Sequence, residues 1–418
     1  MNNVSKRRAL GAVAGFSAIA LALGTSLPAQ AAEEPLKVGA ILPLTGGLAF
    51  LAPPMVAGFW AAFDEINANG GVNGSKLKFT GIKDEGSGAT SPTFAGLAAS
   101  AHIEAGTQVI VGTASSGRAL SIYKQTSGAE IIQVSASNTD ISLSDVADNG
   151  YYFRTAPSDL LQGRVLGQKI LADGKKNVAI IYQQSSYGTG LKNTAKAALV
   201  AGKAKVKEYA FPEAETNFTS TVNSVKAQGA DAIIIISYDE VFKIAPLLKS
   251  KGFKGNQVYL VDGNMTDYGA AKASFASWLV GAQGTQPGSD PTNAFRSKLD
   301  AAYLAHEEKP LDITIYGAEA YDALVVTALA AIEAKSNKTS EIKTHMASVT
   351  KGGVKVTSFK AAVAALKAGK DIDYDGASGP IEFDSKGNPS KAYMGVYKFD
   401  KKGANSLSKA YLATVPAK

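Results

Sequence analysis

The chain has 418 residues, 45% hydrophobic and 19% charged, with no cysteine and a formal net charge of +7. These values describe an ordinary globular protein with neither a disulfide framework nor a cysteine-borne lipid. The charge is too small and too evenly spread for nucleic-acid binding. The 3 histidines, His102, His306 and His345, lack metal-ligand spacing, and His306-Glu307-Glu308 lacks the second histidine of a zinc helix. No metal and no cofactor is expected.

Lys6, Arg7 and Arg8 precede an apolar run from Leu10 to Leu23, followed by Pro28 and Ala29-Gln30-Ala31. A basic start, a short apolar core and small residues at the exit predict a secretory signal peptide over residues 1–31, cut after Ala31. The alternative is a retained anchor, but the run is short for a bilayer and no later apolar run reaches ~20 residues. Arg7-Arg8 fits a twin-arginine signal poorly. Cleavage leaves about 387 residues, enough for two or three domains. It removes three of the 43 basic residues and none of the 36 acidic ones, lowering the charge to +4. The expected product is soluble and periplasmic.

The mature chain then alternates strand-like and helix-like segments. Leu36–Leu42 reads as a strand, and Pro53-Pro54 opens a helix with Met55, Val56, Phe59, Trp60, Phe63 and Ile66 on one face. Asn69-Gly70-Gly71 ends it. Strands are predicted at 77–82, 108–111, 130–134, 177–182, 204–209, 231–237 and 258–261, with helices at 92–105, 117–126, 159–171, 188–200, 217–228 and 240–249. Further helices are predicted at 266–276, 291–305, 316–334, 338–349 and 358–368, and final strands near 380–383 and 392–399. Alternating β and α units predict parallel sheets covered by helices on both faces. The pattern restarts near residue 155, so two such lobes are expected.

Several chemistries are missing. No Gly-x-Gly-x-x-Gly opens a helix after the first strand, and no Gly-Lys pair precedes Ser or Thr. Ser115 and Ser116 follow a strand but lack the flanking glycines of a nucleophile elbow. Asn217, Asn264 and Asn337 lie in glycosylation sequons, chance matches in a bacterial host. An α/β chain without these signatures reads as a binder.

In open α/β sheets, ligands sit at the carboxyl ends of strands. Thr113-Ala-Ser-Ser-Gly117 joins a strand to a helix, where free amides, the helix dipole and serine hydroxyls suit a carboxylate. The alternative is that Ser115 or Ser116 caps the helix. Ser135-Ala-Ser-Asn-Thr139 faces the same spot from the next strand. In the second lobe Tyr187, Tyr238 and Asp262 follow strands. An acid at such an end suits an ammonium group, because a charge-assisted bond offsets desolvation. Capping by Asp262 and surface packing by the tyrosines are the alternatives.

Together these residues resemble the type I periplasmic binding proteins of branched-chain amino-acid ABC transporters. The resemblance spans nearly the whole mature chain. It is carried by Lys37-Val-Gly-Ala-Ile-Leu-Pro-Leu-Thr-Gly46, by Asp64-Glu-Ile-Asn-Ala-Asn-Gly-Gly-Val-Asn-Gly74, by Tyr152-Phe-Arg-Thr155 with Asp159, and by Tyr187-Gly188. It implies two doubly wound parallel-sheet lobes joined by a three-strand hinge, closing on a small ligand for a membrane permease. The implied lobes are 36–155 plus 285–375 and 156–284 plus 376–418.

By the same resemblance, Ser115 and Ser116 bind the ligand carboxylate, Thr139 adds to that grip and Ser137 offers a carbonyl to the ammonium. Tyr187 and Tyr238 line the far lobe, Asp262 pairs the ammonium, and Tyr316 falls on an aromatic position of the side-chain pocket. Asp159 lies beside the first crossover. The chain departs from the leucine-binding pattern in three places. Phe50-Leu51 replaces a tyrosine and makes that wall apolar, the acid is Asp262 rather than a glutamate, and Arg118 follows the serines. Arg118 is expected to be solvated, with a second anionic group of the ligand as the alternative partner.

The expectation is a monomeric, non-enzymatic solute-binding protein for an aliphatic amino acid. Its rivals are a binder of an aromatic carboxylate or small amide, an exported sensor module, and a hydrolase using Ser115 or Ser116.

Overall fold

The computed structural model describes residues 33–88, 93–288 and 291–415. The expected signal peptide, residues 1–31, lies outside the described residues, as does Pro92 at the start of a predicted helix.

The first half builds one sheet. Its elements are β1 (Lys37–Leu42), α1 (Ala52–Ala68), β2 (Lys78–Asp84), α2 (Thr93–Glu104), β3 (Val109–Gly112), α3 (Ser116–Gly128), β4 (Ile132–Ser135) and β5 (Tyr152–Arg154). The five strands are parallel in the order β2-β1-β3-β4-β5. Alternation divides its two faces. Val38, Ala40, Leu42, Val109 and Val111 pack toward Met55 and Phe59 of α1, whereas Ile41 and Ile110 pack with Ala95 of α2 and Ile122 of α3.

The chain then passes to a second sheet through α4 (Asp159–Ala172), β6 (Asn177–Gln183), α5 (Ser186–Ala201), β7 (Lys205–Phe211), α6 (Thr219–Gln228), β8 (Ala232–Ile236), α7 (Val241–Ser250), β9 (Val258–Val261) and β10 (Gln283–Pro287). It returns to the first sheet with α8 (Asn293–Glu307) and α9 (Gly317–Ala334), both packed on α1. Next come α10 (Thr339–His345), β11 (Val354–Val356), α11 (Phe359–Lys367), β12 (Ile372–Gly376) and β13 (Gly379–Pro380), whose strands form a small third sheet. Finally β14 (Lys391–Phe399) and β15 (Asn405–Thr414) rejoin the second sheet, ordered β15-β14-β10-β9-β8-β6-β7. Its β6–β10 strands run parallel, and β14 and β15 are added antiparallel. The chain thus crosses between the two large sheets three times: after β5, after β10 and between β13 and β14.

Local chemistry explains the key elements. Pro53 and Pro54 occupy the first turn of α1, where no amide is needed. Gly71 ends the helix with φ +75°, and a Cβ there would lie 2.0 Å from the Ser75 carbonyl oxygen. α1 and α9 meet at Gly58, where a Cβ would stand 2.2 Å from the Gly317 carbonyl oxygen. Helix α9 is buried from Gly317 to Ala331.

Three sequence expectations fail. Residues 266–276 form turns, not a helix: Asp267 Oδ1 accepts the amides of Gly269 and Ala270, and this local bonding competes with helical bonding. Only a short 3-10 turn follows, at Ala276–Leu279. Of the strand expected at 380–383 only Pro380 is in a strand, paired through Gly379–Pro380, and α10 stops at His345. Strands β5, β10, β11, β12 and β15 were not anticipated. β10 holds a glycine and a proline, and β15 is a polar edge strand with no buried residue.

Candidate functional site

The carboxyl ends of β1, β3 and β4 face those of β6, β8 and β9, and the candidate residues gather between them. On the first sheet, Ser115 holds the N-cap position of α3 in extended backbone, but its side chain makes no capping bond. The capping alternative for Ser115 therefore does not describe this hydroxyl. Ser116 opens the helix, and its Oγ accepts the Asp140 amide at 3.3 Å. Ser137 Oγ donates to the Ala114 carbonyl at 3.4 Å.

The amides of this loop are not all available, because a residue that sequence reasoning missed already holds two of them. Glu85, just past β2 and fully buried, accepts Ala114 N and Ser115 N, each at 2.8 Å. Burial pushes its carboxyl up to about 8, against the pull of those two amides and of Arg118. The strand-end rule, applied to β2 as it was to the other strands, points to it. The amides of Ser116 and Gly117 have no partner among the described residues. Arg118 is not solvated as expected: it is 8% exposed and donates to the carbonyls of Gly86 and Gly88.

On the second sheet Ser185 caps α5 through the Gly188 amide, placing Tyr187 at the pocket. The rings of Tyr187 and Tyr238 stack 5.8 Å apart at 16°. Glu240 accepts Gln183 Nε2 and the Tyr238 amide, which fixes the loop after β8. Asp262 follows β9 and is 4% exposed. Its Oδ1 accepts Tyr187 OH and Gln162 Nε2, each at 2.8 Å, and its Oδ2 accepts Tyr316 OH at 2.7 Å. Burial raises its carboxyl above the ordinary range, opposed by these three bonds. Burial and the Asp262 charge hold both tyrosines well above their usual range, so they remain donors. Gln162, a partner of Asp262 that was also missed, lies on the first turn of α4, 100 residues before it in sequence.

Ser116, Ser137, Leu51, Tyr316, Tyr187, Tyr238 and Asp262 line one pocket, together with Leu48, Ala114 and Gly263. Ser115 is not among the lining residues, but its hydroxyl lies beside that of Tyr238. Thr139 is not among the lining residues. Its hydroxyl and both oxygens of Asp159 are buried without a hydrogen-bond partner. Burial and the carboxylates of Asp262 and Asp140 raise Asp159 well above the ordinary range. The pocket is nearly shut, leaving about 10 Å³ for the centre of a water-sized sphere. A larger open groove of about 1290 Å³, beside Lys254, Trp278 and Lys398, lies at the opposite end of β9 and β10 and contains none of these residues.

None of the histidines hydrogen-bonds to Ser115 or Ser116. His102 binds Thr107 and the Ala40 carbonyl, His306 binds Asp64, and His345 binds Thr344 and the Glu341 carbonyl. Among the described residues no cluster of His, Cys, Asp and Glu could hold a metal ion, and no helix is long and apolar enough to cross a membrane.

Two mainly parallel sheets with one polar pocket between their strand ends are the architecture of a two-lobed binding protein. The chain belongs to the periplasmic binding protein family, whose model matches residues 35–404. It is 27% identical over 382 residues to the Leu/Ile/Val-binding protein BraC3 of Rhizobium johnstonii, covering 89% of this chain and 94% of that one. Its fold matches the leucine binding protein LivK of Thermotoga maritima with a TM-score of 0.74 at 20% identity, over 90% of this chain and 98% of that one. A solute binding protein of an ABC transporter from R. palustris, solved with benzoate, matches with a TM-score of 0.72 at 17% identity, over 92% and 98%. The family and fold expected from the sequence both hold.

Proposed function

We propose that this chain captures a small carboxylate-bearing ligand between its two large sheets and delivers it to the permease of an ABC importer. It would work in the periplasm as a monomer, after loss of residues 1–31. The favoured ligand is an aliphatic amino acid of the branched-chain type. The observation that carries this reading is the opposition of Ser116, at the amino end of α3, and Asp262, at the end of β9, in one buried pocket. The first offers amides and a hydroxyl to a carboxylate, and the second offers an anion to an ammonium. Leu48, Leu51 and the tyrosine rings between them suit an apolar side chain. The relation to a Leu/Ile/Val-binding protein supports the same ligand class.

The mechanism is closure about the three crossings. The lobe bounds expected at 284/285 and 375/376 move to after β10 and to between β13 and β14, because Gln283–Pro287 pairs wholly within the second sheet and Gly379–Pro380 pairs with β12. The pocket is too tight to admit a ligand in the closed form, so the sheets part for entry. Closure then gains free energy from contacts that a ligand on one lobe offers to the other.

A second reading is an aromatic carboxylate without an ammonium group. It is favoured by the three neutral donors that already surround Asp262, and by the fold shared with a protein solved with benzoate. A thermal-shift panel of Leu, Ile, Val, benzoate, 4-hydroxybenzoate and small amides separates the two, because a ligand that binds only the folded state raises Tm. A rise with the aliphatic amino acids supports the first reading. A rise with the aromatic acids alone replaces it by the second.

A further inference from the structure

Glu85 lies outside the pocket yet holds the loop that builds it. Because β1 lies between β2 and β3, Glu85 reaches across one strand to the loop after β3. Its two oxygens take consecutive amides, Ala114 N and Ser115 N, each at 2.8 Å, and its side chain is fully buried. An incoming carboxylate would otherwise take that amide pair. A ligand anion is therefore moved one step along, to the hydroxyl and amide of Ser116 and the amide of Gly117.

Three charged or titratable neighbours face Glu85. Arg118 of α3 binds the Gly86 and Gly88 carbonyls, Asp84 on the same segment binds Thr45, and Tyr238 comes from the loop after β8. A second anion on the adjoining amides adds repulsion where water is excluded and charges are weakly screened.

We propose that Glu85 is a positioning residue for the anion-binding loop, and that a ligand carboxylate seated beside it draws a proton from the buffer onto the Glu85 carboxyl. This rests on reading the pocket as a carboxylate site. Burial pushes the free carboxyl up to about 8, so near pH 8 it is about half protonated before ligand arrives. Binding fills the remainder. Below that pH the proton is already in place and affinity is flat. Above it, affinity falls by about tenfold per pH unit.

The test is calorimetric titration with isoleucine and with benzoate at pH 6, 8 and 9, in two buffers of different ionisation enthalpy. Wild type should take up about half a proton at pH 8 and almost none at pH 6. Glu85→Gln should remove both the uptake and the loss of affinity at high pH. Glu319, also pushed up to about 8 by burial, and Asp159, raised well above the ordinary range by burial and by the Asp262 and Asp140 carboxylates, are the other acids to control for. Glu319→Gln and Asp159→Asn should each keep both effects. Uptake that survives in Glu85→Gln, or its absence in wild type despite binding, overturns the role of Glu85 while leaving the carboxylate reading intact. If neither probe binds at any pH, the carboxylate reading falls and this inference falls with it. Should Glu85→Gln fail to fold, uptake lost in Glu319→Gln or in Asp159→Asn overturns the assignment, and uptake retained in both supports it.

Discussion

The Tyr316 hydroxyl donates to Asp262 Oδ2 at 2.7 Å and joins the two halves of the molecule. Tyr316 holds the N-cap position of α9, which packs on α1 beside the first sheet, in a left-handed conformation at φ +62°. Asp262 ends β9 of the second sheet. A non-glycine residue is held at positive φ only when its surroundings over-determine it, and here the phenol is drawn to a buried carboxylate.

Tyr316→Phe should therefore loosen the closed form even without ligand. It leaves a buried acceptor without its partner, a cost of about 1–3 kcal/mol. Small-angle scattering of the unliganded variant should show a larger radius of gyration, with a lower Tm. An unchanged radius and an unchanged Tm would show that this bond does not hold the sheets together.

Asp262→Ala should distinguish the ligand classes. Removing one partner of a buried charge pair costs about 2–5 kcal/mol, a loss of about thirtyfold or more. Titration should therefore find isoleucine binding severely weakened and benzoate binding largely retained. Equal weakening of both would mean that Asp262 acts through the shape of the pocket, not through an ammonium.

Glu319 is 4% exposed at the crossing after β10, where a Cβ on Gly288 would stand 2.7 Å from its Oε1. Burial raises its carboxyl from the ordinary 4.5 to about 8. A raised folded-state value means that its contribution to stability is present below about pH 4.5 and lost as pH rises through about 8. Glu319→Gln should thus gain stability relative to wild type between pH 5 and pH 8.5. Urea melts at the two ends check this, and a difference that does not vary with pH would contradict it.

Gly58→Ala tests the packing of α1 on α9. The new methyl would stand 2.2 Å from a backbone oxygen that cannot rotate away. A loss of about 1–3 kcal/mol in a urea melt is expected, and a neutral result would mean that the helices separate easily.

The fold was largely legible in the sequence, because the apolar runs of β1, β3, β6, β8 and β9 and the amphipathic face of α1 are local signals. The helix expected at 266–276 failed because side-chain-to-backbone bonding at Asp267 competes with helical bonding. The polar edge strand β15 carries no burial pattern to read. In the site, Ser116, Ser137, Tyr187, Tyr238 and Asp262 were legible because strand ends are a rule of topology, whereas Leu51 and Tyr316 came from the family resemblance alone, and all seven meet at one pocket. Glu85 and Gln162 were missed because their roles depend on partners 30 and 100 residues away, which periodicity does not reveal. Thr139 is absent from the pocket lining, and its carbonyl accepts the Asp159 amide at 2.8 Å, also a non-local contact.

The most direct test is calorimetric titration of protein unfolded and refolded to strip any copurified ligand, with isoleucine in one series and benzoate in another. The account predicts saturable one-site binding of at least one of them, weakened in Ser116→Ala. A cooperatively folded preparation that binds neither would contradict the central claim that this pocket captures a small carboxylate.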